Sequence, residues 1–141
     1  AGPGILDGVA RTLPPMTRAL KLQKRAARVG FDWDRPETIL DKLAEEAGEI
    51  ADEIRADAPF DRLEDEMGDL LFVCVNLARK LEVDPERALK RANGKFERRF
   101  RHIETELKAA GRTAEDATLD EMEALWQAAK SLEKSGGHGG A

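Results

Sequence analysis

Apolar residues recur along this chain at spacings of three and four, the period of helices that bury one face. A first helix is predicted from about Pro15 to Val29, with Pro15 near its start and Gly30 just past its end. A second starts near Pro36, capped by Asp34, and runs to about Arg55; Ile39, Leu43, Ala47, Ile50 and Ile54 form its buried stripe. A third runs from about Asp61 to Leu81. Its second half, LLFVCVNLA, is apolar almost all round, which predicts a central helix covered on most sides. A fourth, capped by Asp84, runs from Pro85 to about Ala110 with the seam Leu89, Ala92, Phe96, Phe100, Ile103 and Leu107, and Gly111 stops it. Thr118 and Glu121 form a capping box for a fifth, which runs to about Leu132 and carries Leu119, Met122, Leu125 and Trp126.

Short loops between long helices make antiparallel neighbours, so the expected fold is an all-α antiparallel bundle of about five helices. Residues 1–14, rich in Gly and Pro, read as an irregular arm whose Ile5, Leu6, Val9 and Leu13 can pack on the domain. The helical domain is expected over residues 15–134, and residues 135–141 (SGGHGGA) as a flexible tail in which His138 is no ligand. Gly48 and Gly68, isolated in helices, read as close-packing positions.

Composition narrows the function. The 141 residues are 41% hydrophobic and 36% charged, one domain's worth of amphipathic helix. A net charge of −5 gives no footprint for a nucleic-acid polymer. No run is long and apolar enough for a membrane span, and no signal peptide opens the chain, so a cytoplasmic protein is expected. The single cysteine, Cys74, excludes an internal disulfide framework and reads as a small buried hydrophobe.

Two acidic clusters carry the chemistry: Glu45, Glu46 and Glu49 on the second helix, and Glu64, Asp65, Glu66 and Asp69 on the third. Glu46 and Glu49 are three apart and share a helix face, and Glu66 and Asp69 repeat the relation. Asn76 lies two turns beyond Asp69 on the same side. Glu66 and Asp69 lead straight into the most apolar run of the chain, where unpaired carboxylates are costly and crowding of like charges makes them more so. A hard divalent cation relieves both; with only two histidines available, all-oxygen ligation points to Mg²⁺ or Mn²⁺ rather than zinc. The bland alternative is a solvated acidic face. Lys95 and Arg99, one turn apart on the fourth helix, suit phosphate oxygens, and Trp126 with Lys130 on the fifth makes a seat for a base and a phosphate. Their alternatives are a solvent-facing pair for the two cations and a core position for Trp126. The first-helix cations Lys21, Lys24, Arg25 and Arg28 read more simply as surface charge. There is no Walker A or dinucleotide-binding glycine pattern.

The segments KLQKRAARVGFDW (residues 21–33), EEAGE (45–49), EDEMGDLLFVCVNLAR (64–79) and ANGKFERRF (92–100), followed by Trp126 and Lys130, resemble the MazG nucleotide pyrophosphohydrolases. The signature EExxE then ExxD falls on Glu45, Glu46, Glu49, Glu66 and Asp69, and the resemblance spans about Leu6 to Lys130. It is best to the C-terminal domain of two-domain members, so the chain reads as part of a longer protein. The resemblance implies a homodimeric, Mg²⁺-dependent enzyme that hydrolyses nucleoside triphosphates to monophosphate and pyrophosphate, in pool sanitation or alarmone control. It implies metal ligands at Glu46, Glu49, Glu66 and Asp69 and substrate contacts from Lys95, Arg99, Trp126 and Lys130, with Glu45 or Asp65 orienting the attacking water. Arg62 stands where members often have Lys, and Asp65 where they often have Glu, one methylene longer. The alternatives are a narrower relative, such as a dUTP or dCTP pyrophosphatase or a phosphoribosyl-ATP pyrophosphohydrolase, and a non-catalytic helical metal-binding or protein-interaction module.

Overall fold

The computed structural model describes residues 4–136, which form five α-helices, one 3₁₀ turn and no strand. The chain divides into two compact units, one ending at Ala88 and the other starting at Leu89.

The first unit holds α1 (Pro15–Ala27), α2 (Pro36–Arg55), α3 (Phe60–Lys80) and the opening turn of α4 (Pro85–Ala109). Both α1 and α2 pack on α3. The four residues between α2 and α3 are too few for anything but an antiparallel return, and Asp57 makes the reversal at φ 53°, a left-handed conformation that Asp tolerates better than most residues. Ile39 of α2 is completely buried, and Val73 and Val75 of α3 are nearly so. Of the four arm residues expected to pack, Leu13 is half-buried and Ile5 and Leu6 are exposed. Val9 is buried, and Arg25 of α1 donates to the carbonyls of Ile5 (3.3 Å) and Asp7 (2.7 Å).

Prolines set three helix starts, at Pro15, Pro36 and Pro85. Asp84 caps α4 as predicted, its Oδ1 accepting from the Glu86 N–H at 2.9 Å. Asp34 does not cap α2. Arg35 occupies that position in extended backbone without a side-chain bond, because the residue before Pro36 is driven out of the helical region. α1 ends at Ala27 rather than Val29, and the chain turns through Gly30 at φ 90°.

Three expectations about burial are corrected. α3 is not covered on most sides: Leu71 (53%) and Phe72 (45%) are open, as are Met67 and Cys74, so the cysteine is no buried hydrophobe. On α2, Ile39 is buried, while Ala47 and Ile54 of the same stripe are exposed. Gly48 and Gly68 are not close-packing positions, since an added Cβ would meet nothing within 4 Å at either among the described residues. Periodicity names the apolar face of a helix; it does not say which turns of that face a neighbour reaches.

The second unit comprises the rest of α4, a 3₁₀ turn (Ala114–Asp116) and α5 (Leu119–Gly136). Ile103, Leu107 and Ala129 are buried, whereas Leu89, Ala92 and Phe96 at the start of the predicted seam are exposed. Gly111 ends α4 at φ 72°, as its position predicted. The unpredicted 3₁₀ turn is closed by Thr113 Oγ1 donating to Asp116 Oδ2 at 3.0 Å. Arg112 then ties the loop to α5 through Glu121 and the Asp116 carbonyl. Thr118 caps α5 by accepting from the Glu121 N–H at 3.2 Å. α5 runs past Leu132 to Gly136, so Ser135, assigned to the tail, is helical, with its hydroxyl bonded back to the Ser131 carbonyl at 2.8 Å. The remainder of the expected tail, His138 included, lies outside the described residues.

Candidate active site

α2 and α3 bring the i,i+3 carboxylate pairs together. Oxygens of Glu46, Glu66 and Asp69 all lie within 4.8 Å of one another. Glu46 is only 5% exposed, Glu66 is half-buried and Asp69 is open. Glu49, the fourth expected ligand, lies beside Glu46 and Glu66 but outside the set that converges within 4.8 Å. The Glu46 charge, then a hydrogen bond with Glu66 and partial desolvation, push its carboxyl above the usual carboxylate range. Oε2 of Glu46 and Oε2 of Glu66 are buried with no hydrogen-bond donor among the described residues. Such acceptors cost stability unless something positive meets them. The donor set, all carboxylate oxygen and partly orphaned, fits a hard divalent cation.

The two residues expected to orient water stand apart from this group. Glu45 is exposed and paired at 3.5 Å with Lys42, which also reaches Glu46 Oε1 at 3.2 Å. Those two carboxylates, Glu46 first, raise the Lys42 pKa. Asp65 and Glu64 are exposed and outside the cluster. Arg62 donates from Nη2 to Glu53 Oε1 of α2 at 2.5 Å. Lys42 escaped the sequence reading, although its i,i+4 spacing to Glu46 was a usable signal.

At the other end of α3 a second polar network holds the α1–α2 loop. Asp32 accepts from Arg79 Nη2 at 2.5 Å and Nη1 at 3.2 Å, and from Lys80 Nζ at 3.1 Å. Arg79 and then Lys80 hold its carboxyl down to about 2. Because the folded value lies below the unfolded one, this stabilisation is complete above about pH 4 and is lost as pH falls towards 2. Asp32→Asn is therefore expected to cost about 1–2 kcal/mol at neutral pH. Thermal melts should show a drop of several degrees at pH 7 that shrinks below pH 3. An unchanged melting temperature at pH 7 would contradict this role.

In the second unit Lys95, Arg99 and Lys130 line one open cavity of about 400 Å³. The Arg99 guanidinium lies 5.3 Å from the centre of the half-buried Trp126 ring, within cation–π range. Phe96 packs tilted on the same indole at 5.5 Å. Arg99 also donates to Glu133 at 2.9 Å and holds that carboxyl below its usual range. The four residues expected to bind substrate thus share one face of this unit. Glu133, 34 positions from Arg99, carried no local signal.

The chain matches the MazG nucleotide pyrophosphohydrolase domain over residues 34–104. It is 48% identical over 129 residues to the nucleoside triphosphate pyrophosphohydrolase of Escherichia coli K12, covering 91% of this chain and 49% of that protein. It is 40% identical over 118 residues to the nucleoside triphosphate pyrophosphohydrolase/pyrophosphatase MazG of Thermotoga maritima, 84% of this chain and 45% of that one. Bacillus subtilis YabN is 44% identical over 131 residues, 92% of this chain and 27% of its own length. The chain thus spans about half the length of the first two relatives. With the acidic pairs of α2 and α3 inside the matched span, the chain belongs to the MazG nucleotide pyrophosphohydrolase domain family.

Proposed function

We propose that this chain hydrolyses nucleoside triphosphates to monophosphate and pyrophosphate with Mg²⁺ bound by Glu46, Glu49, Glu66 and Asp69. The carrying observation is the convergence of Glu46, Glu66 and Asp69 within 4.8 Å, with two of their oxygens buried and unpartnered. A cation held there would supply Lewis-acid charge neutralisation on the phosphate oxygens. The chain's own residues do the rest. Lys95, Arg99 and Lys130 bind phosphate oxygens and stabilise the charge that grows on them, and the Trp126 indole seats the base. Glu45 or Asp65 orients a water and accepts its proton as its oxygen bonds to the α-phosphorus, and the bond from that phosphorus to the bridging oxygen breaks to release pyrophosphate. Asp65 reaches one methylene less far than the Glu often found there in the family.

The working unit we propose is a homodimer. Met67, Leu71 and Phe72 of α3 are open, and Leu71 and Phe72 join Met16 and Ala19 of α1 around an apolar groove of about 350 Å³ with Gly68 on its wall. A second copy of the same groove and ridge would cover it. Nothing in this reading calls for a membrane, since no described helix is long and apolar enough to cross one. We place the activity in the cytoplasm, where nucleotide pools turn over.

Phosphorus-31 NMR of a triphosphate incubated with the protein and Mg²⁺ tests the reaction. Monophosphate and pyrophosphate are the expected products. Diphosphate and orthophosphate would reassign the bond cleaved, and no turnover with any triphosphate would favour a non-catalytic metal-binding module.

A further inference from the structure

α1 and the turn after it carry Lys21, Lys24, Arg25 and Arg28 with no acidic side chain between them. Lys21 and Arg25 stand four apart, as do Lys24 and Arg28, and like charges at that spacing repel on a helix. Among the described residues no ion pair engages any of the four. The chain as a whole is acidic, at −5, so this concentration of positive charge is local.

The arm turns the charged face into a cavity. Arg25 donates from Nη1 to the carbonyls of Ile5 and Asp7, which ties the arm to the helix. Between them lies an open cavity of about 320 Å³. Lys21, Lys24, Arg25 and Arg28 line its helix side, Val9 and Leu13 its arm side, and no carboxylate lines it. Gly8, at φ 88°, also borders it, and a Cβ there would stand 3.6 Å from Arg25 Nη2. The missing side chain leaves that nitrogen accessible. Both hydrogen bonds of the guanidinium use Nη1, so Nη2 is a free donor on a side chain already held in place. Such fixing lowers the cost of binding. At 100° per residue, Lys21, Arg25 and Arg28 lie roughly opposite the α1 face that carries Met16, Ala19 and Gln23. The apolar groove proposed as the dimer contact therefore leaves these cations open.

A guanidinium flanked by ammonium groups suits phosphate oxygens. Four cations exceed what a single orthophosphate can neutralise. We infer that the cavity between the arm and α1 is a second anion site, and that it takes a small molecule with two or more linked phosphate groups. It shares no residue with the carboxylate cluster or with the cavity of Lys95, Arg99 and Lys130. The inference therefore stands apart from the hydrolase reading. A free polyphosphate and the phosphate tail of a nucleotide share this chemistry.

Titration calorimetry on the full chain tests it, with inorganic pyrophosphate, tripolyphosphate and a non-hydrolysable ATP analogue. Mg²⁺ is left out, and salt of about 0.15 M screens loose surface pairing. A Lys95→Gln, Arg99→Gln, Lys130→Gln background removes the other phosphate cavity. Saturable binding of tripolyphosphate in that background is expected, weakened at least about tenfold when Lys21→Gln and Arg28→Gln are added. In the otherwise wild-type chain the same two substitutions should remove one of two binding events, which decides the matter should the background variant not fold. Arg11→Gln is the control, because Arg11 is exposed but does not line the cavity. It should leave the affinity within about twofold. Equal affinity for tripolyphosphate and the ATP analogue assigns a free polyphosphate. Tighter binding of the analogue assigns a nucleotide whose organic part packs on Val9 and Leu13. No saturable binding in the background variant overturns the inference, as does a loss that Arg11→Gln matches. So does orthophosphate binding as tightly as pyrophosphate. An oligothymidylate that binds more tightly than tripolyphosphate, and is lost with Lys21 and Arg28, would instead mark a nucleic-acid surface.

Discussion

Glu66→Gln and Asp69→Asn are each expected to lower Mg²⁺-dependent pyrophosphate release by at least about 10³-fold, roughly 4 kcal/mol of transition-state stabilisation, without destabilising the metal-free protein. The reason lies in the crowding. Glu46, Glu66 and Asp69 present oxygens within 4.8 Å of one another, and Glu49 is pushed towards protonation beside them. Removing one negative charge relieves repulsion in the apo state. The metal-free melting temperature should hold or rise by a few degrees, while the gain on adding Mg²⁺ disappears. That opposition of stability and activity marks a site shaped for a ligand rather than for the fold. Calorimetric melts with and without Mg²⁺, run beside the pyrophosphate assay, check both halves. A variant that melts lower without metal, or keeps wild-type turnover, would remove these side chains from the ligand set.

Leu71→Glu is expected to dissociate the proposed dimer. In a two-fold interface each substitution occurs twice, and each would bury a carboxylate against an apolar surface. Several kcal/mol per interface, or at least about 10³-fold in the dissociation constant, is the expected scale. Analytical ultracentrifugation over micromolar concentrations should show a dimeric wild type and a monomeric variant with unchanged helical circular dichroism. A wild type monomeric at those concentrations would contradict the assembly, as would a variant that remains dimeric.

What could be read from the sequence follows the range of the interactions involved. Pro36, Pro85 and Gly111 mark helix ends through their own backbone chemistry, so α2 and α4 fall within a residue of their predicted limits. The carboxylate pairs were legible because i,i+3 spacing on a helix is already a spatial statement. Nothing local could report the pairing of Arg79 with Asp32 across 47 positions, or of Arg99 with Glu133 across 34. Both were invisible until the helices were placed. The buried Asn76 Oδ1 accepts from Arg79 Nη2 at 2.7 Å, an i,i+3 pairing that lies within the local range spacing can report. The exposure of Leu71, Phe72 and Cys74 has a different origin. An apolar run records that a surface is to be covered and is silent on whether the cover comes from the same chain or another copy.

Titration calorimetry of Mg²⁺ into the intact chain holding a non-hydrolysable triphosphate bears most directly on the carboxylate cluster. Saturable binding in the wild type, abolished by the Glu66→Gln, Asp69→Asn double variant, is the predicted result. No saturable heat, or equal binding by the double variant, would show that these carboxylates do not hold the catalytic ion.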